Sequence, residues 1–129
     1  MKDSTKSSDF KNLRVWIKAL EVAKKIYELT RSFPDEEKFG LTSQIRRCAV
    51  SIPSNIAEGQ ARNSARQFIH FLQIAHGSAA ELETQILICE SIGLLDPKEC
   101  ENLISDIHHI TGMIINLTST LYTRLKAPT

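Results

Sequence analysis

Between Phe68 and Cys89 the apolar residues Phe68, Leu72, Ala75, Ala79, Leu82, Ile86 and Cys89 follow one another in alternating steps of four and three. An α-helix turns once in about 3.6 residues, so such steps keep a row of side chains on one face, whereas a strand needs steps of two. A row of this length is the seam of a helix bundle or coiled coil. The helix that carries it is predicted from about Ser64 to Ile92, ending near Gly93 in SIGLLDP. At its middle GSAA (Gly77–Ala80) is a patch of small residues that would let another helix approach closely.

A seam needs partners, and the rest of the chain supplies three. From Leu13 to Arg31 two apolar stripes run side by side: Leu13, Trp16, Leu20, Ala23, Tyr27 and Thr30 form one, and Val15, Ala19, Val22, Ile26 and Leu29 the other. Together they are wider than a helix with one buried side requires. The remaining ridge, Lys11, Arg14, Lys18, Glu21, Lys25 and Glu28, is polar and mostly basic. Near the C-terminus Leu103, Ile107, Ile110, Ile114, Leu117 and Leu121 repeat the four-three rhythm, widened by Ile104, Ile115, Tyr122 and Leu125. This helix has a strong start signal: Asp96 as cap, Pro97 at the first position, and Glu99 three residues after the cap.

The stretch AVSIPSNIAEG, residues 49–59, is the ambiguous one. Leu41, Ile45, Cys48, Ala49, Ile52, Ile56 and Ala57 keep helical phase straight through Pro53. Proline removes one N–H and leaves the carbonyl of Ala49 without its usual donor, so a kinked helix is predicted, with Ser51 or Ser54 helping to satisfy the backbone and Gly59 weakening or ending it. The fold class is therefore all-α: an antiparallel up-and-down four-helix bundle with a proline-kinked second helix. At 129 residues the chain is read as one domain, residues 1–129, with a flexible tail at residues 1–10.

Chemistry-bearing motifs are few. A di-iron bundle needs Glu-x-x-His on two helices, and the nearest match is a single Asp106 with His109. There is no Walker loop and no G-x-G-x-x-G. Cys48 and Cys89 lie on apolar stripes and read as core, Cys100 reads as more exposed, and their odd number suits reduced thiols in a cytoplasmic protein. The expectation is no enzyme, no cofactor, no metal and no membrane span.

Charge carries more information. The formal net charge is +1, but residues 1–66 hold 13 Lys/Arg against 8 Asp/Glu, a balance of +5, and residues 67–129 hold 3 against 7, a balance of −4. Such a dipole steers partners or orders an assembly; it is equally what an uneven solvated surface looks like. Arg46 and Arg47 flank the stripe of the second helix, Asn55 and Glu58 continue its polar side, and Glu81 and Glu83 flank Leu82. Cross-helix Arg–Glu pairing that fixes helix register is the preferred reading for Arg46 and Arg47, with phosphate contact as the alternative. For Arg62 and Arg66, beyond Gly59, the two readings stand level. Trp16, Tyr27 and Phe68 lie on apolar stripes and Phe71 reads as buried, so no aromatic is obviously free for base stacking and base-specific readout is not expected.

The pieces VW–KALEVAKKIYELT, FP–EEKFGLTSQIRRCAVSIPSNIAEGQAR and QFIHFLQIAHGSAAELETQ, spanning Leu13 to Gln85, resemble the four-helix-bundle family of proteins encoded in intervening sequences of bacterial 23S ribosomal RNA genes. Cys48 stands where that family often has alanine. The resemblance implies the same fold and a homopentamer. A distant relative, the accessory variability determinant of diversity-generating retroelements, is a pentameric bundle that binds nucleic acid and a reverse transcriptase. An oligomeric scaffold contacting RNA or DNA follows as the leading expectation, through Lys11, Arg14, Lys18, Lys25, Arg62 and Arg66. A protein–protein adaptor is the alternative, favoured by the near-neutral charge.

Overall fold

The computed structural model describes residues 9–126. Four α-helices account for most of it: α1 (Arg14–Thr30), α2 (Leu41–Ala61), α3 (Ala65–Ser91) and α4 (Pro97–Lys126). There is no strand among the described residues. The helices pack as a closed set, α1 on α2, α2 on α3, α3 on α4, and α4 back on α1, with the α2–α3 pairing the most extensive. A 3-10 turn, Asp9–Asn12, precedes α1, and the ring of Phe10 meets the edge of Trp16 at 5.3 Å. Residues 1–8 of the expected tail lie outside the described residues.

The α3 seam is the centre of the core. Leu72, Ala75, Ala79, Leu82, Ile86 and Cys89 are all 0% exposed, and Phe68 heads the row. Val15, Ala19, Val22 and Ile26 of α1 face it, as do Ile45, Ala49, Ile52 and Ile56 of α2 and Leu103, Ile107, Ile110 and Ile114 of α4. On α1 the second stripe is thus the buried one. The first is divided: Ala23 and Thr30 are buried, Leu13, Trp16 and Leu20 half-buried, and Tyr27 exposed. Ile115, Tyr122 and Leu125 do not widen the buried face of α4; all three are exposed.

Helix ends follow the local signals. Asp96 and Glu99 form a reciprocal capping box: the Glu99 N–H donates to Asp96 Oδ1 at 2.8 Å, and the Asp96 N–H donates to Glu99 Oε1 at 3.3 Å. Ser64 caps α3 by accepting from the Gln67 N–H. At the other end of α3 the Leu94 N–H reaches the Cys89 carbonyl and the Gly93 N–H that of Glu90, a Schellman closure with Gly93 at φ +86°. The acidic Asp35–Glu37 is a 3-10 turn of its own, and α2 starts only after Gly40, without a side-chain cap.

Helix α2 runs without interruption across Pro53, which is buried. The Ser51 hydroxyl donates to the Cys48 carbonyl at 2.8 Å, and Asn55 Nδ2 donates to the Ser51 carbonyl at 2.8 Å, so side chains supply hydrogen bonds to the turn ahead of the proline. Gly59 does not end the helix. It is buried against α3, where a Cβ would come within 2.8 Å of Phe71 Cβ and 2.9 Å of Phe68 Cδ1. The close-approach glycine of this bundle is therefore Gly59. Within the GSAA patch it is Ser78 and Ala79 that lie against other helices, whereas a Cβ on Gly77 would meet nothing within 4 Å. Midway along α3, Cys48 and Ser51 meet Ser78, so contacts move back along α2 as they advance along α3.

The two glycines make opposite predictions. Gly59→Ala forces Phe68 and Phe71 aside and is expected to destabilise the fold by about 1–3 kcal/mol. Gly77→Ala relieves the backbone entropy of a mid-helix glycine in open space and is expected to stabilise by about 0.5–1 kcal/mol. Urea denaturation of the two variants checks both signs.

Candidate nucleic-acid interface

The six cations nominated from the sequence do not form one surface. Lys18 and Lys25, two turns apart on α1, converge on Asp106 of α4, with Nζ to carboxylate distances of 3.1 and 2.9 Å. Arg62 is held by Glu58 at 2.8 Å and lies over the Phe71 ring, its guanidinium carbon 5.1 Å from the centroid. Half of the nominated charge is therefore engaged within the protomer. Lys11, Arg14 and Arg66 are exposed, and none forms an ion pair among the described residues.

The expected cross-helix Arg–Glu pairing is also replaced. Arg46 is half-buried, but its partners are on α1: Nε donates to Thr30 Oγ1 at 2.7 Å, Nη2 to the Tyr27 carbonyl at 3.4 Å, and the guanidinium covers the Tyr27 ring at 4.7 Å. The reason is angular. Position 46 lies on the α1 side of α2, whereas Cys48, Ser51 and Asn55 lie towards α3. Arg47 is exposed and lines the α2–α3 groove together with Ser51, Asn55, Ser78 and Glu81, and it makes no ion pair among the described residues. Glu81 accepts from Gln85 Nε2 at 3.4 Å, and Glu83 lies 3.1 Å from His108 Nε2 on α4.

A different set of cations comes together. A groove of about 500 Å³ between the end of α1 and the start of α2 is lined by Tyr27, Lys38, Phe39, Thr42, Ser43, Arg46, Arg47 and Val50. Beside it, sharing Tyr27, is a hollow lined by Ala23, Lys24, Glu28 and Arg31. Among the described residues none of Lys24, Arg31, Lys38, Arg46 and Arg47 has a carboxylate partner. Sequence periodicity misses this cluster because the connection from Arg31 to Gly40 has no period to assign faces. The readable signal was only the basic excess of residues 1–66.

The three cysteines are free and buried, Cys100 included, against the expectation that it is more exposed. Burial pushes the Cys48 thiol up to about 12, with Glu81 adding to the effect, and pushes Cys100 up to about 11, with Glu90 adding. The Cys48 thiol donates to the Ser78 carbonyl at 3.2 Å. Among the described residues no group of three His, Cys, Asp or Glu side chains is placed to hold a metal ion. Among the described residues no helix is long and apolar enough to cross a membrane.

Residues 11–116 match the family described as 23S rRNA-intervening sequence protein. The chain belongs to that family. A crystal structure from Bacteroides thetaiotaomicron, of a protein with unknown function from the S23 ribosomal protein family, is similar at 30% identity and a TM-score of 0.75, covering 81% of this chain and 97% of that one. None of the curated proteins matches. The likeness read from Leu13 to Gln85 thus extends into α4, and this intervening-sequence protein has the bundle fold expected of the family.

The Lys18–Asp106–Lys25 cluster fixes α1 on α4 and is pH-sensitive. Partial burial alone would raise the Asp106 pKa, but the hydrogen bonds and charges of Lys25 and Lys18 outweigh it and hold the carboxyl below its usual range. A depressed carboxyl contributes stability above its unfolded pKa and loses it as pH falls through the folded value. Lys25 is raised, chiefly by its hydrogen bond to Asp106, so its contribution is complete below its usual pKa and is lost only in strong alkali. Asp106→Asn is expected to cost about 1–2 kcal/mol at pH 7. Denaturation curves for wild type and variant should converge as the pH falls below about 4.

Proposed function

We propose that this intervening-sequence protein is a non-enzymatic oligomeric scaffold that associates with RNA or DNA through basic surface. The observation that carries this reading is the separation of charge across the bundle. Residues 1–66, which build α1 and α2, hold the +5 balance, and residues 67–129, which build almost all of α3 and α4, hold the −4 balance. The cations without carboxylate partners among the described residues lie mainly on the α1–α2 side. A surface of this kind attracts a polyanion by counterion release and reads backbone before sequence. Several copies side by side multiply a weak contact, and a homopentamer is the assembly we expect.

Assembly is supported by apolar surface that one protomer leaves in water. Ile115, Tyr122 and Leu125 on α4 are each at least 39% exposed, and Ile88 and Ile92 near the end of α3 are similarly bare. These residues also favour the second reading, a protein–protein adaptor, because they offer a partner helix an apolar landing strip.

Two measurements decide between the readings. Light scattering at micromolar concentration should give a mass several times the 14.5 kDa of one chain. Single-stranded RNA or DNA should be retained at low salt, with affinity falling steeply as salt rises. Reversing Arg62 and Arg66 together should weaken retention without unfolding the bundle, since both side chains are exposed. A purified oligomer that retains neither RNA nor DNA at low salt leaves the adaptor as the function.

A further inference from the structure

We propose that the groove between the end of α1 and the start of α2 is a binding site for single-stranded nucleic acid, with Phe39 and Tyr27 as base-stacking surfaces and Lys38, Arg46 and Arg47 as phosphate contacts. The inference rests on the nucleic-acid reading above and names where, and in which form, the strand is held.

Four observations converge on this groove. Phe39 is 89% exposed, far more than any other large apolar side chain of the described residues, and Tyr27 is 42% exposed. Sequence periodicity places Tyr27 on a buried stripe and assigns Phe39 no role, so neither reads as a stacking surface before the fold is known. Both rings carry a cation: Lys38 Nζ lies 5.6 Å from the Phe39 centroid, and the Arg46 guanidinium carbon 4.7 Å from the Tyr27 centroid. Arg46 is also fixed in direction by Thr30 and the Tyr27 carbonyl.

The third observation is a buried hydroxyl without a partner. Thr42 is 7% exposed, lines the groove, and its Oγ1 has no hydrogen-bond partner. A buried polar atom left unsatisfied is costly; the hydroxyl is closed to solvent as the side chain stands, and it can donate to a phosphate oxygen only when Thr42 changes rotamer. The fourth is charge: three cations line the groove and no carboxylate does. Carboxylates stand beside it on both sides: Glu28 in the adjoining hollow, and Glu81 in the α2–α3 groove that shares Phe39, Ser43 and Arg47; Glu37 Oε1 lies 3.8 Å from where a Gly40 side chain would begin. Lys24 and Arg31 in that hollow extend the basic path past Tyr27, as successive phosphates of a strand would need.

This combination selects the form of the ligand. A duplex hides the faces of its bases, whereas an unpaired strand offers them to aromatic rings while its backbone follows a basic groove. A second copy of the chain would cover Phe39 equally well. Its acidic α3–α4 side would also answer the three cations, but it has no need of two exposed rings each flanked by a cation, the pairing an unpaired strand uses for bases and phosphates.

Fluorescence anisotropy with labelled oligouridylate of about 20 nucleotides, and with an RNA duplex of the same length, tests the site in the full chain at low salt. We expect the single strand to bind more tightly than the duplex. Phe39→Ala should weaken single-strand binding about 5- to 150-fold, the range of one lost base–aromatic stack. Phe39→Trp should restore it, and Arg47→Glu should weaken it and flatten its salt dependence. Circular dichroism should show all three variants folded, because both side chains lie outside the core. Wild type that binds neither probe, nor single-stranded DNA of the same length, overturns the nucleic-acid function itself. Wild type that binds while Phe39→Ala and Arg47→Glu bind equally well overturns the groove alone. A Phe39→Ala protein of unchanged RNA affinity and lower mass by light scattering assigns the ring to a contact between copies instead.

Discussion

Everything in this bundle depends on α3 being wet on one side only. Its seam residues are wholly removed from water, and they form the surface on which α2 and α4 pack. Burial of large aliphatic side chains contributes about 1.5–3 kcal/mol each, which is the scale of term that can offset the ordering of long helices. Small residues in the row, Ala75 and Ala79, bring the neighbouring helices close at mid-height, and Gly59 of α2 does the same at one end. The proline of α2 is tolerated within this frame because Ile52 and Ile56 on either side of it are anchored in the core.

Most of that frame is legible in the sequence because it is periodic. The seams of α3 and α4, the capping box of Asp96 and Glu99, and the continuity of α2 across Pro53 each follow from spacing or from residue types with one local use. Periodicity assigns a face to each residue but not the partner across from it. Arg46 was readable as flanking the seam, yet Thr30 and Tyr27 as its partners required knowing on which side α1 lies. Lys18 and Lys25 read as a free basic ridge because Asp106, some eighty positions on, carries no local sign that it will meet them. Gly59 read as a helix end for a related reason: the same residue type serves a stop and a close approach, and only the neighbouring Phe68 and Phe71 distinguish the two.

The candidate site was least legible where the chain is least regular. Phe39 and Lys38 lie between two helices, where no rhythm marks inside from outside. The proposed surface therefore gathers at a connection, between the two helices that flank it. This is a common division of labour: the regular elements hold position, and the irregular segment presents chemistry to solvent. It also accounts for the near-neutral total charge. A modest basic face is compatible with an acidic opposite face as long as the two point in different directions.

The buried cysteines have a practical corollary. A thiol reacts as its thiolate, and each of the three is shielded from solvent and has its pKa raised by burial. One sits on each of α2, α3 and α4. Alkylation of the native protein thus waits on separation of the helices. The chain carries three built-in clocks for that event, one per helix, whose relative rates reveal whether the bundle opens all at once or one helix at a time.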